Sequence, residues 1–155
     1  MNLKDQHIIV AGGSSGIGLG VARASLEAGA SVTLVGRSAQ RLAAATAQLA
    51  VTHGVRTVAA DLTQEDEARR LFEECPPAHH VVVTTVEPYY QPVRQLELTM
   101  ARRSLDSKLL VALHVAKHAR LESQGSLLFT GGIAAVRPGP GARSSPRRMV
   151  RSCHS

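Results

Sequence analysis

The chain has no tryptophan, only two phenylalanines and only two tyrosines in 155 residues. Its core must therefore be built from alanine, valine, leucine and isoleucine, the usual filling of parallel sheets covered by helices on both faces. Two cysteines, Cys75 and Cys153, exclude a disulfide framework. No apolar run approaches the roughly 20 residues of a membrane span. The N-terminal residues Met1 to His7 lead into a strand pattern without a charged and then apolar leader. These absences predict a cytoplasmic protein with no membrane partner.

Of the stretches that lack acidic residues, two are informative. Residues 137–155 carry five arginines and no acid, which leaves the first 136 residues with 13 basic and 12 acidic side chains against a net charge of +6 for the whole. The basic character belongs to the tail, which also holds three prolines and two glycines and almost no apolar pattern. Such a composition predicts a disordered or loosely attached segment. Without aromatic residues to stack on bases it predicts no specific nucleic-acid partner. The chain divides into a domain over 1–136 and a tail over 137–155. The second acid-free stretch runs from Ala30 to Ala60. Tyrosine is absent after Tyr90 and lysine after Lys117.

What is present is an alternation of short apolar runs and helical patterns. Strands are predicted over His7–Ala11, Val32–Val35, Arg56–Ala60, Val81–Val86 and Leu127–Thr130. Helices are predicted over Ile17–Ala28, Ala39–Thr52, from a Thr63–Asp66 capping box to Cys75, and over one long segment from Thr99 to Leu121. In that segment Leu105, Leu109, Leu113 and Ala116 fall near one face. Five strands separated by four helices predict an α/β, Rossmann-type doubly wound parallel sheet.

The first strand runs into Ala11-Gly12-Gly13-Ser14-Ser15-Gly16-Ile17-Gly18, with glycines at 12, 16 and 18. Gly12 lets the chain turn off the strand, Gly16 leaves room for a diphosphate against the backbone, and Gly18 lets the helix pack closely on the sheet. The free N–H groups of the first helical turn then face the phosphates, and Ser14 and Ser15 add hydroxyl donors. This run resembles the cofactor loop of the short-chain dehydrogenase/reductase (SDR) family, with Ala11 in place of the usual threonine. The resemblance implies a nicotinamide dinucleotide as ligand and hydride transfer to or from a small alcohol or carbonyl substrate. It assigns Gly12, Ser14, Ser15, Gly16, Ile17 and Gly18 to the cofactor-binding loop.

Arg37 and Ser38 follow the second strand, where an acid would hold a ribose 2′-hydroxyl and an arginine suits a 2′-phosphate. NADP(H) is therefore expected over NAD(H); the competing view makes Arg37 a solvated loop charge. By resemblance Asp61 and Leu62 flank the adenine, unless Asp61 belongs to the turn before the next helix. Where the family usually has Asn-Asn-Ala-Gly, this chain has Thr84-Thr85-Val86-Glu87, and Thr84 supplies a hydroxyl at the strand–loop junction.

The family's catalytic tyrosine, lysine, serine and asparagine have no counterparts. The asparagine position holds Lys108, and the serine position falls in Thr130-Gly131-Gly132, with Gly132 best placed and Thr130 the nearest hydroxyl. A proton-shuttling or clamping role for Lys108 stands against that of an ordinary helix lysine. The stretch Thr130 to Gly141 is similar to a subset of SDR-like bacterial proteins that depart from the usual catalytic set. No catalytic residue is assigned, and turnover is not expected; the alternative is a non-catalytic dinucleotide-binding or assembly module.

The resemblance ends near Gly141 or Ala142, where the family would continue with a long helix and two further strands. A truncated or frame-shifted product is the expectation, with the fifth strand left as an apolar edge open to self-association. His114 and His118, four apart on a helix without a third ligand, are read as surface or packing residues. Cys75, His79 and His80 make poor zinc evidence without a fourth ligand, and Tyr89-Tyr90 is read as a loop rather than a site entrance.

Overall fold

In the computed structural model residues 2–50 and 53–132 are described. The tail assignment over 137–155 and residues 133–141 of the Thr130–Gly141 stretch lie outside them. Among the described residues the chain alternates as β1 (His7–Ala11), α1 (Gly16–Glu27), β2 (Ser31–Gly36), α2 (Ala39–Leu49), β3 (Val55–Ala59), α3 (Glu65–Glu74) and β4 (Ala78–Val83). A single 3-10 turn over Val93–Gln95 then leads to α4 (Leu98–Asp106), α5 (Leu109–His118) and β5 (Leu121–Phe129). The strands form one parallel sheet in the order β3-β2-β1-β4-β5. This is the doubly wound arrangement expected from the alternation. It places the ends of β1 and β4 side by side at the sheet's centre, where the chain order reverses.

β1 is apolar from Ile8 to Ala11 because both of its faces are covered there. Ile8 and Val10 point into a cluster with Ala22, Leu34, Leu42 and Ala45, closed by α1 and α2. Ile9 and Ala11 point the other way, among Phe72, Val81, Val83, Val111 and Val115, closed by α3 and α5. The period of two along the strand thus feeds two cores. Thr33, the one polar residue in the middle of β2, is buried with its hydroxyl 2.9 Å from His7 Nε2.

The expected long helix is two helices. The chain breaks at Ser107–Lys108, for reasons that lie outside the helix. Ser107 Oγ donates to Ser104 O at 2.8 Å and accepts the Glu87 N–H at 2.9 Å. The Ser107 carbonyl accepts Thr85 Oγ1 at 3.0 Å, and Lys108 N–H turns back to Leu105 O at 3.0 Å. A serine whose backbone is engaged from another strand's loop stops the regular ladder. The buried face of α5 also differs from the expected one. Leu105, Leu109, Leu113 and Ala116 are exposed, whereas Val111 and Val115 enter the core. Both sets have helical spacing, and only the position of the sheet decides between them.

Smaller corrections concern ends. β4 covers Ala78–Val83, not Val81–Val86, and residues 84–86 leave the sheet. β5 begins at Leu121 rather than Leu127, with an irregularity against β4 between Ala78 and His80, so Gly125 lies within the strand. The Thr63–Asp66 capping box does not form: Gln64 holds the N-cap position of α3 without a side-chain capping bond, Asp66 pairs with Arg69 at 2.9 Å, and Thr63 turns to Asp61. A tie between α3 and α5 takes its place. Lys117 and His118 reach Glu65 Oε1 at 2.6 and 3.1 Å, and the Lys117 hydrogen bond, more than that of His118, holds the carboxyl down to about 2.

The reassigned face of α5 is directly testable. Val115→Ala removes two methyl groups from a fully buried position and is expected to cost about 1–3 kcal/mol, whereas Leu113→Ala should stay within about 0.5 kcal/mol. Equal losses in denaturant melts of the two variants would contradict the packing described.

Candidate functional site

The turn between β1 and α1 is shaped by two close approaches. A Cβ on Gly18 would lie 2.3 Å from the Gly12 carbonyl oxygen and 2.7 Å from Thr84 Oγ1. Gly12 itself has φ +84, and a Cβ there would meet Thr84 Oγ1 at 2.7 Å. The Thr84 hydroxyl donates to Ala11 O at 3.0 Å, with Gly12 O at 3.3 Å. It fastens the end of β4 to the turn. Gly16 is the opposite case: φ is +54 and a Cβ there would meet nothing within 4 Å. Its backbone is open to the space in front of the helix.

That space is a cleft of about 540 Å³, lined by all eleven residues singled out in the sequence: Gly12, Ser14, Ser15, Gly16, Ile17, Gly18, Arg37, Ser38, Asp61, Leu62 and Thr84. The first turn of α1 faces it. Ser15 sits at the N-cap without a side-chain capping bond, and no acidic residue lies in the first turn. α3 shows the contrast, with Glu65, Asp66 and Glu67 all in its first turn. The leading N–H groups and the positive end of the dipole are thus left for an anion at α1. Open backbone at Gly16 beside uncapped N–H groups fits the diphosphate of a dinucleotide.

Beyond the turn, Ser38 caps α2 by accepting the Arg41 N–H at 3.3 Å. Leu62 is only 4% exposed and belongs to the core, so it offers the cleft a fixed apolar surface. Asp61 lines the cleft and also builds the turn. Its Oδ1 accepts Thr63 N and Oγ1 at 3.1 and 2.8 Å, and its N–H donates to Glu67 Oε2 at 2.7 Å. Asp61 thus belongs both to the turn before α3 and to the wall of the cleft.

Arg41 was not singled out in the sequence, yet it lines the cleft and donates to Ser15 Oγ at 3.3 Å. The signal was available: Arg37 and Arg41 bracket the N-cap Ser38, and a helix that starts there brings both toward the glycine turn. A second feature was not available. Glu87, fifty positions from Arg37, places Oε2 3.1 Å from its guanidinium and Oε1 2.9 Å from that of Arg103. The acid-free interval around Arg37 in the sequence is not acid-free in space.

Lys108 and Thr130 meet without lining the cleft. Lys108 Nζ donates to Thr130 O at 3.0 Å, with Oγ1 at 3.3 Å, and Thr130 Oγ1 donates to Val83 O at 3.1 Å. The pair locks the start of α5 to the ends of β4 and β5. Tyr89 accepts the Glu97 N–H and Tyr90 is exposed; neither lines the cleft. His79 Nδ1 accepts the His7 N–H, His80 contacts Ser126 and Gln6, and His114 contacts Leu62 O, so these rings are engaged in the fold. Cys75 is a buried thiol whose pKa is raised by desolvation.

Residues 6–143 match the family model for short chain dehydrogenases. The chain belongs to the short chain dehydrogenase family. A short chain dehydrogenase/reductase of Colletotrichum higginsianum is 30% identical over 123 residues, 76% of this chain and 46% of that protein. A 3-dehydrosphinganine reductase of Arabidopsis thaliana is 36% identical over 83 residues, 52% of this chain and 25% of that protein. The structure of a short-chain type dehydrogenase/reductase from Mycobacterium ulcerans superposes with a TM-score of 0.80 at 29% identity, covering 97% of this chain and 60% of that one. The chain thus spans less than half the length of these two curated relatives. No helix among the described residues is long and apolar enough to cross a membrane.

Burial pushes the Lys108 ammonium below its usual pKa of 10.5. The folded state then binds fewer protons than the unfolded state in the alkaline range just below that value. Stability should accordingly rise with pH in that window for the native chain and lose this slope in Lys108→Met. Identical pH profiles of chemical unfolding would show that the lysine is not desolvated in the fold.

Proposed function

We propose that the cleft binds NADP(H) in preference to NAD(H), as the cofactor site of an SDR-type oxidoreductase domain. The observation that carries this reading is the uncapped, acid-free N-terminus of α1 opposite two arginines, Arg37 and Arg41, at the end of β2 and the start of α2. The amides of Gly16, Ile17 and Gly18 would hold the diphosphate, Ser14 and Ser15 its oxygens, and Arg37 and Arg41 the 2′-phosphate. Asp61 and Leu62 would border the adenine. Bound there, the nicotinamide would supply a hydride for exchange with an alcohol or carbonyl.

The residues that would move the accompanying proton are a different matter. Lys108 stands where the family has asparagine, and its donor atom is committed to Thr130. Gly132 offers no hydroxyl. Tyr89 and Tyr90 are outside the cleft. We therefore assign the described domain dinucleotide binding with little or no turnover by itself. A second reading, an assembly module, is favoured by Leu128 and Phe129, which remain 53% and 43% exposed on β5. A concentration-independent monomer in sedimentation experiments would dismiss it.

Equilibrium titration separates the cofactor claims. NADPH should bind more tightly than NADH. Arg37→Ala with Arg41→Ala should weaken NADPH by about tenfold while moving NADH by less than about twofold, the scale of two exposed charge contacts. Equal weakening of both would remove the 2′-phosphate assignment. Single-turnover mixing of the NADPH complex with a panel of ketones should give no oxidation above background, and clear turnover would refute the binding-only reading.

A further inference from the structure

Glu87 lies in the loop that leaves β4, and its carboxylate is divided between two arginines. Oε2 is 3.1 Å from Arg37 Nη1 and Oε1 is 2.9 Å from Arg103 Nη2. The side chain is 24% exposed, against 59% and 57% for its partners. Its backbone is fixed as well. The Glu87 N–H donates to Ser107 Oγ, and Thr85, two residues earlier, donates to the Ser107 carbonyl. Ser107 is buried at the break between α4 and α5. Glu87 is thus an anchored anion rather than a free surface acid.

The guanidinium it holds is the one that the cofactor reading gives to the 2′-phosphate. A phosphate arriving at Arg37 meets a carboxylate already within hydrogen-bond distance of the same donor. The two anions compete for the N–H groups and repel each other, whereas a ribose hydroxyl in the same place carries no charge to repel. Arg41 is paired with no carboxylate among the described residues, so the rim keeps a positive surplus and phosphate is still attracted. Arg103 moderates the competition by drawing Oε1 away from Arg37.

We propose that Glu87 is a specificity-determining residue, an internal substitute for the 2′-phosphate on Arg37 that narrows the preference for NADP(H) over NAD(H). This rests on the cofactor reading above. Two substitutions with opposite effects test it on the full chain at low ionic strength. Glu87→Gln keeps the shape and removes the charge. It should strengthen NADPH binding roughly three- to fivefold, the scale of one exposed ion pair, with NADH changing by less than about twofold. Arg103→Gln leaves the carboxylate to Arg37 alone and should weaken NADPH binding while sparing NADH. Loss of folding would weaken both cofactors in both variants, so opposite movement of NADPH alone is a signature that misfolding cannot produce. Parallel shifts of NADPH and NADH, or weaker NADPH binding by Glu87→Gln, would overturn the proposal while leaving the cofactor reading intact. Failure of the unaltered chain to bind either dinucleotide would bring down that reading and the proposal with it.

Discussion

Helix α1 approaches the sheet so closely at Gly18 that one added carbon would fall 2.3 Å from the Gly12 carbonyl oxygen. That contact fixes how the rest of the site is built. It brings the first turn of α1 to the ends of β1 and β4, and Thr84 ties β4 to the same turn. The doubly wound order then leaves an opening above those strand ends, because successive connections depart to opposite faces at this point. Any side chain at Gly18 forces the helix outward and moves the N–H groups that give the cleft its charge.

Electrostatics is arranged around the same helix end. α1 has no acid in its first turn, whereas α3 has three. The anion that would complement the α1 dipole is left to come from outside the chain, and Arg37 and Arg41 extend the positive field along the cleft. Glu87 works against it from a loop whose position depends on Ser107. The break between α4 and α5 therefore does more than interrupt a helix: it shapes the rim of the cleft. On the far side, Lys108 and Thr130 join the start of α5 to the ends of β4 and β5.

Much of this could be read in the residues in order, and the exceptions share a cause. β1, the glycine turn and α1 are legible because each is decided locally: an apolar run, three spaced glycines, then a helical period. The order of alternation gives the sheet type for the same reason. The division of the 98–118 segment is not legible, since Ser107 stops the helix through partners on the loop after β4. The choice between the Leu109/Leu113 and Val111/Val115 faces of α5 is hidden because both satisfy helical periodicity. All eleven proposed cofactor residues line one cleft, yet Glu87 reaches Arg37 at its rim from fifty positions away. Sequence spacing carries no trace of that pairing. Arg41 is the intermediate case, within reach of reasoning once Ser38 is recognised as a cap.

The proposed grip of the amides at the start of α1 on a diphosphate can be read one group at a time by backbone NMR. On titration with NADPH the largest amide shift changes should fall on Gly16, Ile17 and Gly18, with smaller changes at Arg37 and Ser38. Saturation with these amides unmoved, or with the main changes on α4 and α5 instead, would contradict the account.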